Sequence, residues 1–394
     1  MSFGHPRRIE WPLDPTVTYL NHGTVGVTPN RVLAVQQAIR DEMEKQPSRF
    51  LLREVSSLAG QPLPRPSRLR EAAAQVAKAV GARADDLVFV DNATTGANAV
   101  LRSIPFEPGD EILITDQAYG AVAKAAAFVA RERRAYVRTV TVPYPIFSAP
   151  ALIDAVRDAI GPKTRVVVLD HIVSESSLIF PLAELAAVCH ARKVRVLADG
   201  AHAPGVLPLD VPSLGVDWYT ANLHKWACAP RSAGFLWAHE SQQSALHPTV
   251  ISWGFDAGFT AEFDWVGTRD PSPWMAAPAG FAFLDELGWP ALRSYNHGLA
   301  WSGANMLADR WQTSLGFDQE HIGFMATVPL PPALGRTAED AARLRDALLF
   351  EDRIEVQVHA SHGQLWARIS AQVYNEWADL ERLADAVVSR ARRV

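Results

Sequence analysis

The chain has 394 residues, of which 48% are apolar and 21% charged, as in an ordinary soluble globular protein with room for one large and one small domain. Its net charge of −5 provides no basic field to attract nucleic acid or an anionic membrane. Two cysteines, Cys189 and Cys228, indicate neither a disulfide framework nor a Cys-x-x-Cys metal site. Without a signal peptide or an apolar stretch of bilayer length, we expect a cytoplasmic protein with no nucleic-acid or membrane partner.

Short β-branched segments alternate with alanine-rich segments between about residues 65 and 240. The predicted strands are Leu87–Val90, Glu111–Thr115, Arg165–Asp170, Val194–Asp199 and Ala233–Ala238. The predicted helices are Arg68–Val80, Ala118–Arg131, Ala151–Ile160 and Leu182–Arg192. Most of these strands are apolar throughout, which is typical of parallel strands buried on both faces. The alternation predicts a doubly wound α/β core.

Three segments have no periodic pattern. Residues 61–66 and 329–332 are rich in proline and are predicted connections. Residues 247–280 combine Trp and Phe with Gly, Asp and Pro, which predicts an ordered, functional loop region. Its aromatic residues are candidates for either a substrate pocket or a dimer interface, and we favour the interface. They are Trp253, Phe255, Phe259, Phe263 and Trp265.

The C-terminal part of the chain has an α+β character. A helix is predicted over Thr337–Phe350, with Thr337 as its N-cap. Two strands, Ile354–His359 and Gln364–Ser370, and a final helix, Ala378–Arg393, follow. We therefore predict a large domain over 16–258, a smaller domain over 259–394 and an N-terminal arm over 1–15.

Three local motifs carry polar groups suited to chemistry. Asp199 ends an apolar strand, and such strand ends build the sites of doubly wound folds, although a lone aspartate there is more often a turn residue. Lys225 lies between His224 and Trp226, where burial would lower its pKa and make it a nucleophile, although most lysines are solvated. Residues 91–98 follow a strand and open a helix, which suits either phosphate binding or an ordinary N-cap.

The order of these motifs resembles the class V aminotransferase group of fold-type I pyridoxal-phosphate (PLP) enzymes, in particular its isopenicillin N epimerase-like branch. The resemblance rests on motifs that run from residue 19 to residue 375. They are Tyr19-Leu-Asn-His-Gly23, Asn92-Ala-Thr-Thr95, Asp170-His-Ile172, Asp199-Gly-Ala-His202, His224-Lys-Trp226, Gly267-Thr-Arg-Asp270 and Arg368-Ile-Ser-Ala-Gln-Val-Tyr-Asn375. It implies a mainly parallel sheet in a large PLP-binding domain and a smaller C-terminal α+β domain.

The resemblance also implies roles at the cofactor ring. Lys225 matches the lysine that forms the Schiff base, and Asp199 matches the carboxylate that keeps the ring nitrogen protonated. His202 matches a partner of the phenolate oxygen, and Ser174 replaces an asparagine near that oxygen. Tyr119 matches the aromatic residue that stacks on the ring.

Further roles concern the phosphate and the substrate. The residues implied at the phosphate are Thr94, Thr95, Asn222 and His224, with Thr268 reaching it from the neighbouring subunit of a homodimer that shares its active sites. Arg368 matches the arginine that binds the substrate carboxylate, a role suited to its planar fork, although a strand-edge ion pair is the alternative. Asn21 and His22 are expected near the substrate, although His22 also suits a packed loop.

Several reactions are compatible with these residues. We expect Cα–H chemistry on an α-amino acid, with Lys225 as general base and epimerisation if Tyr119 or His22 donates a proton on the opposite face. A cysteine-independent C–S β-elimination and a transamination are the alternatives. A persulfide mechanism is disfavoured because both cysteines lie before residue 230 and the segment 359–364 contains none. A non-catalytic PLP-binding protein is disfavoured because Lys225, Asp199 and Arg368 occur together.

Overall fold

A computed structural model describes residues 2–56 and 66–393. The predicted connection over 61–66 lies outside the described residues except for its last residue. The strands are β1 (Thr18–Tyr19), β2 (Leu87–Val90), β3 (Glu111–Thr115), β4 (Tyr136–Val140), β5 (Thr164–Asp170), β6 (Arg195–Asp199), β7 (Trp218–Asn222), β8 (Gly234–Ala238), β9 (Met325–Pro329), β10 (Ile354–Glu355), β11 (Gln357–Ser361) and β12 (Gln364–Ser370).

The helices lie between and after these strands. They are α1 (His22–Val25), α2 (Asn30–Lys45), α3 (Pro47–Arg49), α4 (Arg68–Ala79), α5 (Ala93–Ser103), α6 (Gly120–Arg133), α7 (Ala149–Ala159), α8 (Leu182–Ala191), α9 (Glu240–Gln243), α10 (Phe259–Asp264), α11 (Ser272–Leu287), α12 (Trp289–Trp311), α13 (Ala338–Phe350) and α14 (Trp377–Ala391). No helix in the described part of the chain is both long and apolar enough to span a bilayer.

The central sheet has the strand order β2-β8-β7-β6-β5-β3-β4. Its strands β4, β3, β5, β6 and β7 pair in parallel, and β8 pairs antiparallel with both of its neighbours, β2 and β7. The predicted mainly parallel α/β sheet is therefore confirmed. Because β2 runs in the same direction as β5, β6 and β7, the carboxyl ends of all four strands lie at one edge. This edge positions the candidate site.

The five strands predicted for this sheet are all present, and the predicted helices begin and end within two residues of the observed ones. The sheet also contains β4 and β7, which were not predicted as strands. The edge strand β4 is largely exposed and carries polar residues, so it lacks the apolar pattern of a buried strand. The strand β7 is buried but short and ends in Thr, Ala and Asn.

Two predictions for the later part of the chain were wrong in detail. Residues 247–280 are not a continuous loop, since they contain α10 and the beginning of α11. Pro278 lies inside α11, and because proline usually interrupts a helix, the sequence there does not predict one. The single strand predicted over 354–359 is divided at Val356, because β10 pairs in parallel with β1 whereas β11 pairs antiparallel with β12.

A second sheet, of order β11-β12-β9, lies in the C-terminal part of the chain and packs against α12 and α13. The predicted N-cap of α13 is confirmed, since the Thr337 side chain accepts the Asp340 N–H at the start of this helix. Helix α11, which the predicted domain division assigns to the smaller domain, packs on α2 and α4. The boundary near residue 259 stays a prediction.

Gly96 sets the distance between the N-terminal turn of α5 and β7. A Cβ atom there would lie 2.1 Å from Oγ1 of Thr220, so Gly96→Ala should lower the free energy of unfolding by about 1–3 kcal/mol through overpacking. Gly298 in α12 faces open space, so Gly298→Ala should raise it by about 0.5–1 kcal/mol. Urea denaturation of both variants tests the difference, and effects of the same sign would contradict it.

Candidate active site

A cavity of about 470 Å³ opens at the carboxyl edge of the central sheet. It is lined by Thr24, Val25, Asn92, Ala93, Thr94, Thr95, Tyr119, Asp170, Ser174, Asp199, Ala201, His202, Asn222, His224 and Lys225. The fold thus brings together nine of the residues that the sequence singled out. They are Thr94, Thr95, Tyr119, Ser174, Asp199, His202, Asn222, His224 and Lys225.

Lys225 follows β7 and is buried, with its Nζ atom 3.0 Å from Nε2 of His202. Burial and the charge of Arg368 lower the pKa of Lys225 to about 7. Burial, and then the charge of Lys225, also hold the pKa of His202 well below its ordinary value. A large fraction of Lys225 is therefore a neutral amine near pH 7, which is the nucleophilic and basic form.

Asp199 ends β6 with one carboxylate oxygen satisfied and the other available. Its Oδ1 accepts the Ala201 N–H at 3.0 Å, whereas its Oδ2 is buried without a hydrogen-bond partner among the described residues. Nδ1 of His202 is likewise buried and unpartnered. A buried polar atom without a partner is costly, so these two atoms indicate a polar ligand in the cavity.

The N-terminal turn of α5 forms one end of the cavity. Asn92 caps this helix by accepting the Thr95 N–H at 2.9 Å, and Oδ1 of Asn222 accepts the Ala93 N–H at 2.8 Å. Because the oxygen of Asn222 is engaged, its amide nitrogen is the atom left to donate. Backbone N–H groups and the helix dipole at this end, with the hydroxyls of Thr94 and Thr95, suit a phosphate group.

His224 lines the same cavity. Its Nδ1 donates to the carbonyl of Ala233 at 3.1 Å, so its Nε2 carries no hydrogen when the ring is neutral. Burial, and then the charge of Lys225, lower the pKa of His224 to about 4. A phosphate oxygen only accepts hydrogen bonds, so His224 can donate to it through Nε2 only as an imidazolium.

These residues fit the pyridoxal phosphate that the sequence resemblance implies. The unpartnered Oδ2 of Asp199 suits a protonated ring nitrogen, the α5 N-terminus suits the phosphate, and the neutral amine of Lys225 suits the aldehyde. Tyr119, the residue before α6, lines the same cavity with 45% of its surface exposed. In the part of the chain that the structure describes, no group of three or more acidic, His or Cys side chains is arranged to hold a metal ion.

Arg368 lies on β12 directly behind two lining residues. Its Nη1 donates to the carbonyl oxygen of Ser174 at 2.5 Å, and its Nη2 donates to Oγ1 of Thr24 at 2.6 Å. Arg368 is only 3% exposed, its Nε is unpartnered, and no carboxylate of the described residues forms an ion pair with it. Burial lowers its pKa to about 10. A buried cation without an ion-pair partner suits a carboxylate ligand.

Asn21 and His22 were expected near the substrate, but neither lines the cavity. His22 is fully buried, and its Nε2 donates to the carbonyl of Lys225 at 3.1 Å, so Nδ1 accepts from the Tyr374 hydroxyl at 2.9 Å. It therefore supports the backbone of Lys225 instead of reaching a substrate. Asn21 supports the arginine site, because its Oδ1 accepts the hydroxyl hydrogen of Thr24 at 2.5 Å.

Two lining residues, Asp170 and Thr24, have no role assigned from the sequence, although Asp170 begins the Asp170-His-Ile172 motif. Asp170 ends β5 and is the register partner of Asp199 on β6, so the two carboxyl groups lie side by side in the cavity wall. Burial, and then the charge of Asp199, raise the pKa of Asp170 well above its ordinary value. An aspartate ending a neighbouring apolar strand is the signal that identifies it. Thr24 has no comparable signal, because only the approach of Arg368 gives it a role.

Other highlighted residues lie away from the cavity. Thr268 is exposed in the connection between α10 and α11 and does not line the cavity of its own chain. None of the five aromatic residues between 253 and 265 lines it either, since Phe259, Phe263 and Trp265 are buried elsewhere and two are exposed. Both cysteines are buried, and burial raises the pKa of each thiol to about 12.

Residues 22–327 match the family model for aminotransferase class V. The chain is 34% identical to isopenicillin N epimerase of Streptomyces clavuligerus, over 95% of each sequence. It is 30% identical to an L-cysteine desulfhydrase of Arabidopsis thaliana, over 94% of this chain and 87% of that protein. Among solved structures, a C-DES variant with glycine covalently linked to its PLP cofactor superposes with a TM-score of 0.80 at 22% identity, over 96% of this chain and 98% of that one.

The acidity of Lys225 should be visible in the binding of PLP to cofactor-free protein. Because only the neutral amine attacks the aldehyde, the rate of the visible absorbance change should rise with pH and reach half its maximum near the Lys225 pKa of about 7. Arg368→Gln removes a cation that lowers this pKa, so the midpoint should move to higher pH.

Arg343→Gln, at an exposed position on α13, is the matched control and should leave the midpoint unchanged. Stopped-flow absorbance over a pH series measures all three proteins. A midpoint for Arg368→Gln at or below that of the unsubstituted protein would count against this account of the site.

Proposed function

The chain belongs to the aminotransferase class-V family of PLP enzymes, and from that premise we propose that it epimerises an α-amino acid at Cα. The observation that carries the proposal is the neutral, buried amine of Lys225 in one cavity with Asp199 and Tyr119. When bound there, PLP supplies the electron sink for the charge left at Cα. The remaining work falls to residues of this chain.

Lys225 serves as the base that takes the Cα proton. Its pKa of about 7 suits both removal and return of a proton near neutral pH. Asp199 holds a proton at the ring nitrogen through the Oδ2 atom that lacks another partner. Arg368 binds the substrate carboxylate, which compensates its buried charge and orients the Cα–H bond.

Epimerisation needs a second proton donor on the face opposite Lys225. His22 is unsuited to this role because both of its ring nitrogens are engaged outside the cavity. Tyr119 lines the cavity and carries a hydroxyl that both donates and accepts, so we propose it as the second acid–base group. The similarity to isopenicillin N epimerase over 95% of each sequence supports this reaction.

A C–S β-elimination is the second candidate function. It is favoured by the similarity to L-cysteine desulfhydrase, and it needs only one base at Cα and an acid for the sulfur leaving group. With cysteine as substrate, one water is consumed, and sulfide, pyruvate and ammonia are released. Both cysteines of this chain are buried away from the cavity, so the sulfur would not pass through an enzyme thiol.

We further propose a homodimer in which Thr268 reaches the cofactor phosphate of the neighbouring protomer. Its exposure and its position outside the cavity of its own chain support this arrangement. The exposed side chains of Trp253 and Phe255 lie in the same part of the sequence and suit a covered surface.

Amino acids incubated with the PLP-loaded protein in D2O distinguish these reactions. Lys225→Ala should abolish deuterium incorporation at Cα, because no other base replaces its amine. Tyr119→Phe should lower formation of the opposite enantiomer by about 100-fold or more and preserve exchange in the starting enantiomer. Chiral chromatography with mass detection measures both.

Tyr136→Phe, an exposed tyrosine on β4, is the control and should match the unsubstituted protein. Sulfide and pyruvate released from cysteine at equal rates by the unsubstituted protein and Tyr119→Phe would identify the β-elimination instead. Deuterium exchange that persists in Lys225→Ala would refute both reactions as written.

A further inference from the structure

A cluster of polar side chains lies next to Arg368, where the second sheet meets the loop after β5. The Tyr144 ring packs 5.0 Å from the Trp366 ring and 5.4 Å from the His362 ring. His359 on β11 is the register partner of Trp366 on β12. Trp366 lies two residues before Arg368 on the same strand. The cluster is therefore built on the same strands that hold the arginine.

Several polar atoms of this cluster lack partners. The Tyr144 hydroxyl, Nδ1 of His359 and Nε of Arg368 are buried without a hydrogen bond among the described residues. Burial raises the pKa of Tyr144, and burial followed by the charge of Arg368 lowers that of His359 to about 4, so both side chains are neutral near pH 7. Three such atoms in one place point to a polar group that is supplied from outside the chain.

Glu175 is exposed and adds a negative charge close to Arg368. It follows Ser174, which lines the cavity, and its side chain makes no hydrogen bond or ion pair with the described residues. Partial burial raises the pKa of Glu175, whereas the charges of Arg368 and His362 act to lower it, and the charge of Glu175 in turn raises the pKa of Tyr144. The Thr327 hydroxyl donates to its backbone carbonyl at 2.6 Å, which fixes the point from which the side chain extends.

The balance of charges indicates the ligand. A substrate carboxylate would compensate Arg368, and the substrate amino group would be held at the cofactor. Glu175 directly follows the lining residue Ser174, is exposed and has no ion-pair partner among the described residues, so it is available to a cation carried by the substrate. We propose that Glu175, with Tyr144 and His359, forms a subsite for the substrate side chain and selects an α-amino acid whose side chain carries a cation. This inference rests on the α-amino-acid substrate proposed above.

Lysine and norleucine test the subsite, because they share a straight side chain and differ in the terminal ammonium group. Each is titrated into PLP-loaded protein, and the shift in the visible absorbance of the cofactor gives an apparent Kd. Lysine should bind roughly fivefold more tightly than norleucine, as expected for one partly exposed ion pair. This readout reports binding whether or not any reaction follows.

Substitutions then assign the effect to Glu175. Glu175→Gln should remove the preference for lysine, and Glu175→Lys should favour glutamate over norleucine. Glu339→Gln, an equal change of charge at an exposed position on α13, should keep the preference for lysine. Tyr144→Phe should weaken lysine binding more than norleucine binding, which keeps the subsite testable if a charge variant folds poorly.

Equal affinities for lysine and norleucine, a preference that survives in Glu175→Gln, or no absorbance shift with any amino acid would each overturn the subsite. A Glu175-dependent preference without exchange at Cα would uphold the subsite and reject the proposed epimerisation. Exchange at Cα without a Glu175-dependent preference for lysine would uphold the proposed epimerisation and reject the subsite.

Discussion

Parallel pairing of β5, β6 and β7 is the constraint on which the site depends. Parallel strands end at the same edge of a sheet, and in-register pairing sets Asp170 beside Asp199 there. The antiparallel strand β8 then brings β2 back in the same direction, so that the N-terminus of α5 meets this edge. The N-terminal turn of a helix, a carboxylate and an amine thereby converge at one edge of the sheet.

Burial makes the amine at this edge of the sheet reactive. The amine of Lys225 loses solvation, and Arg368 adds repulsion, so its pKa falls toward neutrality although two carboxyl groups attract its proton. The same burial leaves Oδ2 of Asp199 and Nδ1 of His202 without partners. Buried polar atoms without partners are costly, and a bound polar ligand would satisfy them.

The second sheet contributes the other half of the environment. Arg368 on β12 reaches Ser174 after β5 and Thr24 after β1, so one guanidinium joins three separate parts of the chain. Asn21 orients Thr24, and His22 supports the backbone of Lys225. Asn21 and His22 of the N-terminal motif thus hold other residues in place, and neither of them lines the cavity.

The sequence by itself determined five of the seven strands of the central sheet and the bounds of six helices, because apolar runs and caps are local signals. It also indicated nine polar or aromatic residues that the fold places around one cavity. It did not reveal the exposed strand β4, helix α11 with its internal Pro278, or the break between β10 and β11. Only tertiary packing decided which side chains share the cavity. Asp170 enters it through its register with Asp199, whereas His22 is turned away by its bond to the Lys225 carbonyl, and such contacts join residues far apart in the chain.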